Sequence, residues 1–503
     1  MNEPILHTAS ARPVSRRSLL AAGLGAATVA MSSGTAWAVG RGPRAKHVVL
    51  LAWDGFDRAY LDLVETPHLD ELTRRGSLST TTGCFPSITN TSWSTVATGA
   101  WPQTHLNTPY YLDPMTGRAV SQSRTLEAET IAEAVHAAGG TVASVQFFIV
   151  QNHGAVYGDP RQLYLQPGGT STTRTDLAID ILNGRPVRSG SQLVTVEQPP
   201  TLLAVYSDEL DARGHQEGAE SPNIPGILAG LDSDLGRLVQ ATKDVGIYGE
   251  TAFVVLGDHG MTTFTRGFGK LVLTALRGAG FTPEFVLPGG LPRPETDVAM
   301  VVGGVASVHL LGAARTADGV ARARAVLESL PPVQRVYDRS DLAALHTSPL
   351  MGDLVAEPVA GWSFGEDDPD GPRGYHGRTG EMQAGLLLAG RGSRACRPCR
   401  RGTSTSRRRS RPCSASPLRP RPKGGSSPRP YTPSSSGADR NALSVPAGNR
   451  CGHTTPPPWA AGVTPALTSP RNLNGGSLPT PDTRPNQTAN RSAPCTERGG
   501  ARG

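Results

Sequence analysis

The chain has 503 residues, of which 37% are apolar and 5% aromatic, with 59 Gly and 43 Pro. That length suits one large domain with appendages, or two to three ordinary domains. Charge divides near residue 393: the last 110 residues hold 19 Lys and Arg against 3 Asp and Glu, whereas residues 1–393 hold 30 against 39. The part able to fold is acidic, which excludes a basic nucleic-acid-binding enzyme. Cys84 is the sole cysteine before residue 393, so a disulfide scaffold is excluded there too.

Residues 1–38 read as an export signal, its recognisable part in 12–38, expected to be removed from the mature protein. Arg16-Arg17 precede a run of small and apolar residues that ends at Ala36-Trp37-Ala38, a small-x-small cleavage pattern. The run Ser15-Arg16-Arg17-Ser18-Leu19-Leu20 resembles the twin-arginine type, which implies the twin-arginine export machinery as a partner and a periplasmic or extracellular destination. The apolar run is too short to span a bilayer, and no stable membrane span is expected elsewhere.

The body, 45–392, alternates strand and helix. Lys46–Trp53 is a β-branched and Leu run of the kind buried on both faces of a parallel sheet. Thr66–Arg75 has a Thr N-cap, Pro in the first turn and Gly76 as its stop, which predicts a helix. A helix over Thr130–Ala138, strands over Thr141–Gln146 and Thr201–Tyr206, and a long helix over Ile227–Val245 follow. Glu250–Leu256 leads as a strand into Gly257-Asp258-His259-Gly260, and Ala299–Leu311 and Met382–Leu388 are further strands. Strands separated by helices indicate an α/β sandwich with a mostly parallel sheet.

Function in such sheets sits just past the carboxyl ends of strands. Three strands here run into acidic residues at that point: Asp54, then Asp211 with His215 four residues on, then Asp258 beside His259. His376 lies in Gly374-Tyr375-His376-Gly377. Three Asp and three His suit two divalent ions of the zinc type, whose usual ligands outside thiolate sites are carboxylate oxygen and imidazole nitrogen. A hydroxyl-rich loop, Cys84-Phe85-Pro86-Ser87-Ile88-Thr89-Asn90-Thr91-Ser92-Trp93, precedes Val96-Ala97-Thr98-Gly99.

These motifs resemble the nucleotide pyrophosphatase/phosphodiesterase branch of the alkaline phosphatase superfamily, over roughly residues 46–392. The resemblance implies an alkaline-phosphatase-like fold with helices on both sheet faces and a small inserted cap region. Thr89 in Pro86-Ser87-Ile88-Thr89 stands ten residues before Gly99, the family's nucleophile spacing. Asp211-Ala212-Arg213-Gly214-His215, Asp258-His259-Gly260-Met261 and His376-Gly377 match its remaining motifs. The resemblance thus implies Asp54, Thr89, Asp258 and His259 around one ion, and Asp211, His215 and His376 around a second. It implies a hydrolase for small phosphate esters or pyrophosphates that works through a phosphothreonine, with Asn107 as a phosphate-oxygen ligand. Departures leave the substrate open. Leu210 replaces the usual Pro before Asp211, and Asn90-Thr91-Ser92-Trp93 replaces an aromatic-Pro-Asn-His run, a variation closer to phosphonoacetate-hydrolase-like relatives. A phosphonate hydrolase, a phosphomonoesterase or an inactive truncated product are the alternatives. Cys84-Phe85-Pro86-Ser87 also touches the sulfatase pattern, but Ile88 stands where that pattern has Arg.

Beyond residue 392 the composition turns to Arg, Pro, Ser and Gly, with 18 Pro and no apolar period. Such a segment cannot bury enough apolar surface to offset its ordering entropy, so a disordered tail over 393–503 is expected. The abrupt change, inside a strand, also suits an out-of-frame reading of a GC-rich gene.

Overall fold

A computed structural model describes residues 44–393; the export signal and the tail past residue 393 lie outside the described residues. In chain order the strands of its two larger sheets are β1 (His47–Trp53), β2 (Ser77–Thr82), β3 (Val142–Val145), β4 (Gln162–Leu165), β5 (Leu202–Ser207), β6 (Thr251–Leu256), β7 (Pro283–Phe285), β8 (Val298–Gly303), β9 (Val305–Leu310), β10 (Val333–Asp338), β11 (Leu354–Pro358) and β12 (Gln383–Gly390). The main helices are α1 (Pro67–Arg75), α2 (Thr89–Thr98), α3 (Ile131–Ala137), α4 (Ser171–Leu182), α5 (Glu209–Glu217), α6 (Ile224–Asp244), α7 (Gly269–Gly278) and α8 (Ala317–Glu328).

The central sheet has the order β2-β12-β6-β1-β5-β3-β4. Its pairings β6–β1, β1–β5, β5–β3 and β3–β4 are parallel, and β12 alone runs against both of its neighbours. The continuous apolar run of β1 serves both faces, because successive side chains alternate. Val49, Leu51 and Trp53 join the core under α1, α4 and α6. Leu50 and Ala52 join the opposite core with Trp93 of α2 and Ala132 of α3. Along α6, Leu228, Leu231, Leu235 and Leu238 recur at helical spacing and are buried. Each such burial is worth about 1.5–3 kcal/mol of transfer free energy. Among the described residues no helix is long and apolar enough to cross a membrane.

Two local expectations are corrected. Thr66 precedes α1 but makes no side-chain cap. Asp232, reaching across from α6, accepts the Leu69 and His68 N–H groups at 2.8 and 3.1 Å instead. The stretch 299–311 is two strands, not one: β8 and β9 pair antiparallel about Gly304, whose φ is +79°. The β-branched alternation runs through both arms, so the fold-back is marked only by Gly303-Gly304.

These strands belong to an inserted five-stranded sheet, β7-β8-β9-β11-β10. It has its own core with α7 and α8, in which Phe268, Val272, Leu276, Ala323 and Leu327 are buried. A three-stranded sheet, ordered Gly361–Ser363, Thr262–Gly267, Arg373–Tyr375, adjoins the insertion. Its register pairs Thr262 with Tyr375 and so brings the residues after His259 beside those before His376.

Candidate metal centre

The adjacent strands β6, β1 and β5 deliver three loops to one end of the central sheet. Asp54 follows β1, and its N–H donates to Ser207 O at the end of β5 at 2.8 Å. Asp211 and His215 lie one turn apart on α5, which places both side chains on one helix face. Gly55, at φ +70°, lets α5 approach: a Cβ there would stand 3.0 Å from the Asp211 Cα. Asp258 and His259 follow β6, and Thr89 is the first residue of α2.

These seven residues meet in one cluster. His259 Nε2 lies 3.2 Å from Thr89 Oγ1, 3.4 Å from Asp54 Oδ1 and 3.3 Å from Asp258 Oδ2. His215 Nε2 lies 3.2 Å from His376 Nε2 and 3.3 Å from Asp211 Oδ1, and His376 Nε2 lies 3.6 Å from that same oxygen. The His259 and His376 rings stack with centroids 3.5 Å apart. Ligand atoms of Asp54, Asp258 and His259 converge within 4.8 Å of one another, and those of Asp211, His259 and His376 do the same. His259 is thus common to both groups.

Each imidazole is oriented the same way. His259, His215 and His376 direct Nδ1 at the carbonyls of Gly260, Gly374 and Ser87, at 2.9, 2.9 and 2.7 Å. A carbonyl only accepts, so Nδ1 carries the proton and each Nε2 presents a lone pair to the cluster. Burial keeps these rings neutral: His259 is pushed down to about 3, and His376 and His215 also lie below the ordinary range.

The carboxyls show the opposite strain. Burial, then the nearby Asp211, raises Asp54; burial, then Asp54, raises Asp258; burial, then Asp208, pushes Asp211 up to about 7. Asp54 Oδ1, Asp211 Oδ1 and Asp258 Oδ2 are buried without a hydrogen-bond donor. Three such oxygens facing three imidazole lone pairs form a set rich in acceptors and poor in protons. That set fits divalent cations, which satisfy both donor types at once.

Asn107 is not part of this arrangement. It is buried, its Oδ1 accepts from Thr91 Oγ1 at 3.2 Å, and its Nδ2 donates to Ser123 O and Thr125 O at 2.9 and 3.1 Å. Its amide braces the loop after α2, which leaves no group for a phosphate oxygen. Two residues around the cluster were given no role from sequence. Tyr206, the last but one residue of β5, donates its hydroxyl to Asp54 Oδ2. Ser87 orients His376 through its carbonyl and accepts the Gly377 N–H on Oγ at 3.1 Å.

Comparison with known proteins follows the same lines. The family described as type I phosphodiesterase / nucleotide pyrophosphatase matches residues 48–380. A pyrophosphatase/phosphodiesterase of Schizosaccharomyces pombe, itself uncharacterised, is 26% identical over 234 residues, covering 42% of this chain and 44% of its own length. Human ectonucleotide pyrophosphatase/phosphodiesterase family member 5 is 23% identical over 232 residues, covering 44% and 46%. A human bis(5'-adenosyl)-triphosphatase is 25% identical over 228 residues, covering 43% and 47%. The chain therefore spans less than half the length of these curated relatives. Among solved structures, human ectonucleotide pyrophosphatase/phosphodiesterase 5 superposes with a TM-score of 0.53 at 19% identity, covering 68% of this chain and 88% of that one. The murine protein, solved as an inactive threonine-to-alanine variant with AMP, gives 0.53 at 19% over 69% and 88%. At that identity the likeness is one of fold, and it agrees with the alkaline-phosphatase-like sandwich expected from the motifs.

Proposed function

The chain belongs to the type I phosphodiesterase / nucleotide pyrophosphatase family, and from that premise we propose that it is an exported two-metal hydrolase of phosphodiester or pyrophosphate bonds. The observation that carries the reading is the set of three buried, donorless carboxylate oxygens facing three neutral imidazoles beside one threonine hydroxyl. Asp54, Thr89, Asp258 and His259 would hold one dication, and Asp211, His215 and His376 the other, with zinc suited to such ligands. Bound there, the pair would lower the pKa of the threonine hydroxyl and offset charge gathering on the phosphoryl oxygens.

The chain's own residues carry the remaining work. Thr89 stands at the N-terminus of α2, so its hydroxyl and the positive end of the helix face an incoming phosphoryl group together. The 3.2 Å approach of Thr89 Oγ1 to His259 Nε2 sets the hydroxyl beside the ligands that would hold the ion. The Thr89 hydroxyl proton passes to solvent as Oγ forms its bond to phosphorus; the bond to the leaving alcohol or phosphate breaks, and that group keeps the bonding electron pair and takes a proton from solvent. Water then attacks the phosphothreonine and gives up one proton as its oxygen bonds to phosphorus; the Oγ–P bond breaks, and Thr89 Oγ takes that proton back. The load falls on positioning and charge neutralisation rather than on a general base. The names of the relatives favour nucleotides and related phosphate esters as substrates. Residues 12–38 support export in the twin-arginine manner.

The test is a substrate panel on metal-loaded protein. Bis-p-nitrophenyl phosphate should be hydrolysed faster than p-nitrophenyl phosphate or phosphonoacetate. Preference for the monoester or the phosphonate would move the activity to those classes. No turnover of any of the three with metals bound would refute the catalytic reading.

A further inference from the structure

Glu357, Glu381 and Arg378 are three almost fully buried charged side chains outside the cluster that lie together. They form one network in the segment that carries His376. Glu381 accepts the Arg378 N–H on Oε2 at 2.9 Å and a guanidinium N–H on Oε1 at 3.2 Å. Glu357 belongs to β11 of the inserted sheet. Its Oε1 accepts the Thr379 N–H at 3.1 Å and hydroxyl at 2.7 Å, and stands 3.7 Å from Arg378 Nε. Its Oε2 accepts the Tyr337 hydroxyl. At the other end, Ser87 Oγ donates to Arg378 O at 2.9 Å, while the Ser87 carbonyl accepts from His376 Nδ1. His376 is therefore held between the nucleophile loop and the inserted sheet.

Two buried carboxylates around one guanidinium cost more desolvation than apolar packing of the same volume. Such a network defines geometry, because each partner has few arrangements that satisfy all of its bonds. Hydrogen-bonding partners behind a metal-ligating imidazole set its orientation and hence the affinity of the site.

We propose that Glu357 is a positioning residue for the second metal site, holding His376 in place through Thr379 and Arg378, so that the inserted sheet sets how tightly that site binds a dication. This rests on the two-metal reading above. It assigns the insertion a part in cation affinity.

The experiment titrates metal-free full-length protein with Zn2+ by calorimetry and with Co2+ by visible absorption, which reports imidazole ligation. Glu357→Gln keeps an acceptor for Thr379 but removes the charge facing Arg378. Thr379→Val removes one hydroxyl and serves if the first variant fails to fold, with folding checked by circular dichroism. In the wild type two equivalents should bind. In Glu357→Gln the second should weaken about 10- to 100-fold with an altered Co2+ spectrum, while the first is unchanged. Thr379→Val should shift the second equivalent in the same direction by less. Equal second-site affinity and spectrum in the wild type and both variants would overturn this proposal alone. Fewer than two equivalents in the wild type would overturn the two-metal reading and this proposal with it.

Discussion

Thr89 and the groups around it set the behaviour at the scale of single residues. Thr89→Ala deletes the oxygen proposed to attack and a partly buried hydrogen bond worth about 1 kcal/mol. Turnover should fall by about three orders of magnitude or more, with the metal content of the purified protein near normal. Unchanged turnover would remove Thr89 from the chemistry. Tyr206→Phe strips Asp54 Oδ2 of its hydroxyl donor, so the Asp54, Asp258 and His259 group should bind its cation about 10- to 100-fold more weakly by calorimetry. Acidity acts through the carboxyls. Asp211 is pushed up to about 7, so below that pH an incoming cation must displace a proton. Affinity should fall by about tenfold per pH unit for that one proton as the pH drops from 7 to 5. The His259 ring, pushed down to about 3, stays neutral over the same interval and adds nothing to the loss. A Zn2+ affinity that is flat between pH 5 and 8 would contradict this sign. At this scale, local spacing made much of the cluster readable: Asp211 and His215 share a helix face, and Asp258-His259 directly follow a strand. Tyr206 and Ser87 stayed hidden because their partners, Asp54 and His376, lie 152 and 289 residues away in sequence. Asn107 was misplaced because an amide looks the same in sequence whether it faces a ligand or three internal partners.

Elements place these groups, and glycine decides how closely they meet. The tip of the β8–β9 hairpin presses on the backbone of His376: a Cβ on Gly304 would run into the His376 carbonyl oxygen. Gly304 also holds φ at +79°, a region disfavoured for side chains. Gly304→Ala should lower stability by about 1–3 kcal/mol through strain and loosen the His376 site as well. Gly312, at φ +50° and facing open space, is the control: alanine there should meet the backbone cost without disturbing His376. Thermal unfolding with metal analysis separates the two, and equal effects would deny the hairpin its role. Five of the seven strands of the central sheet were legible because burial selects β-branched and Leu runs, as in β1 and β6; the edge strands β2, a Ser/Thr run, and β4, four residues long, carry no such signal. The hairpin was not, since two such runs joined by glycines read as one. Nor was the cap of α1, since Asp232 reaches it from a helix that starts more than 150 residues later.

Across the whole molecule, the parallel sheet gathers Asp54, Asp211 and Asp258, the three-stranded sheet brings His376 to the same point, and the proposed cations would offset the charge gathered there. Chelation should therefore lower the unfolding temperature. The drop should be larger at pH 8 than at pH 6, because above about 7 the buried Asp211 carboxyl is ionised and a bound cation offsets that charge. The same drop at both pH values would show that the carboxylates do not govern the response. The central claim is tested most directly by anomalous diffraction at the zinc edge from crystals of the zinc-loaded protein. Two peaks are expected, one bounded by Asp54, Asp258, His259 and Thr89, the other by Asp211, His215 and His376. A single peak, or peaks away from these side chains, would contradict it.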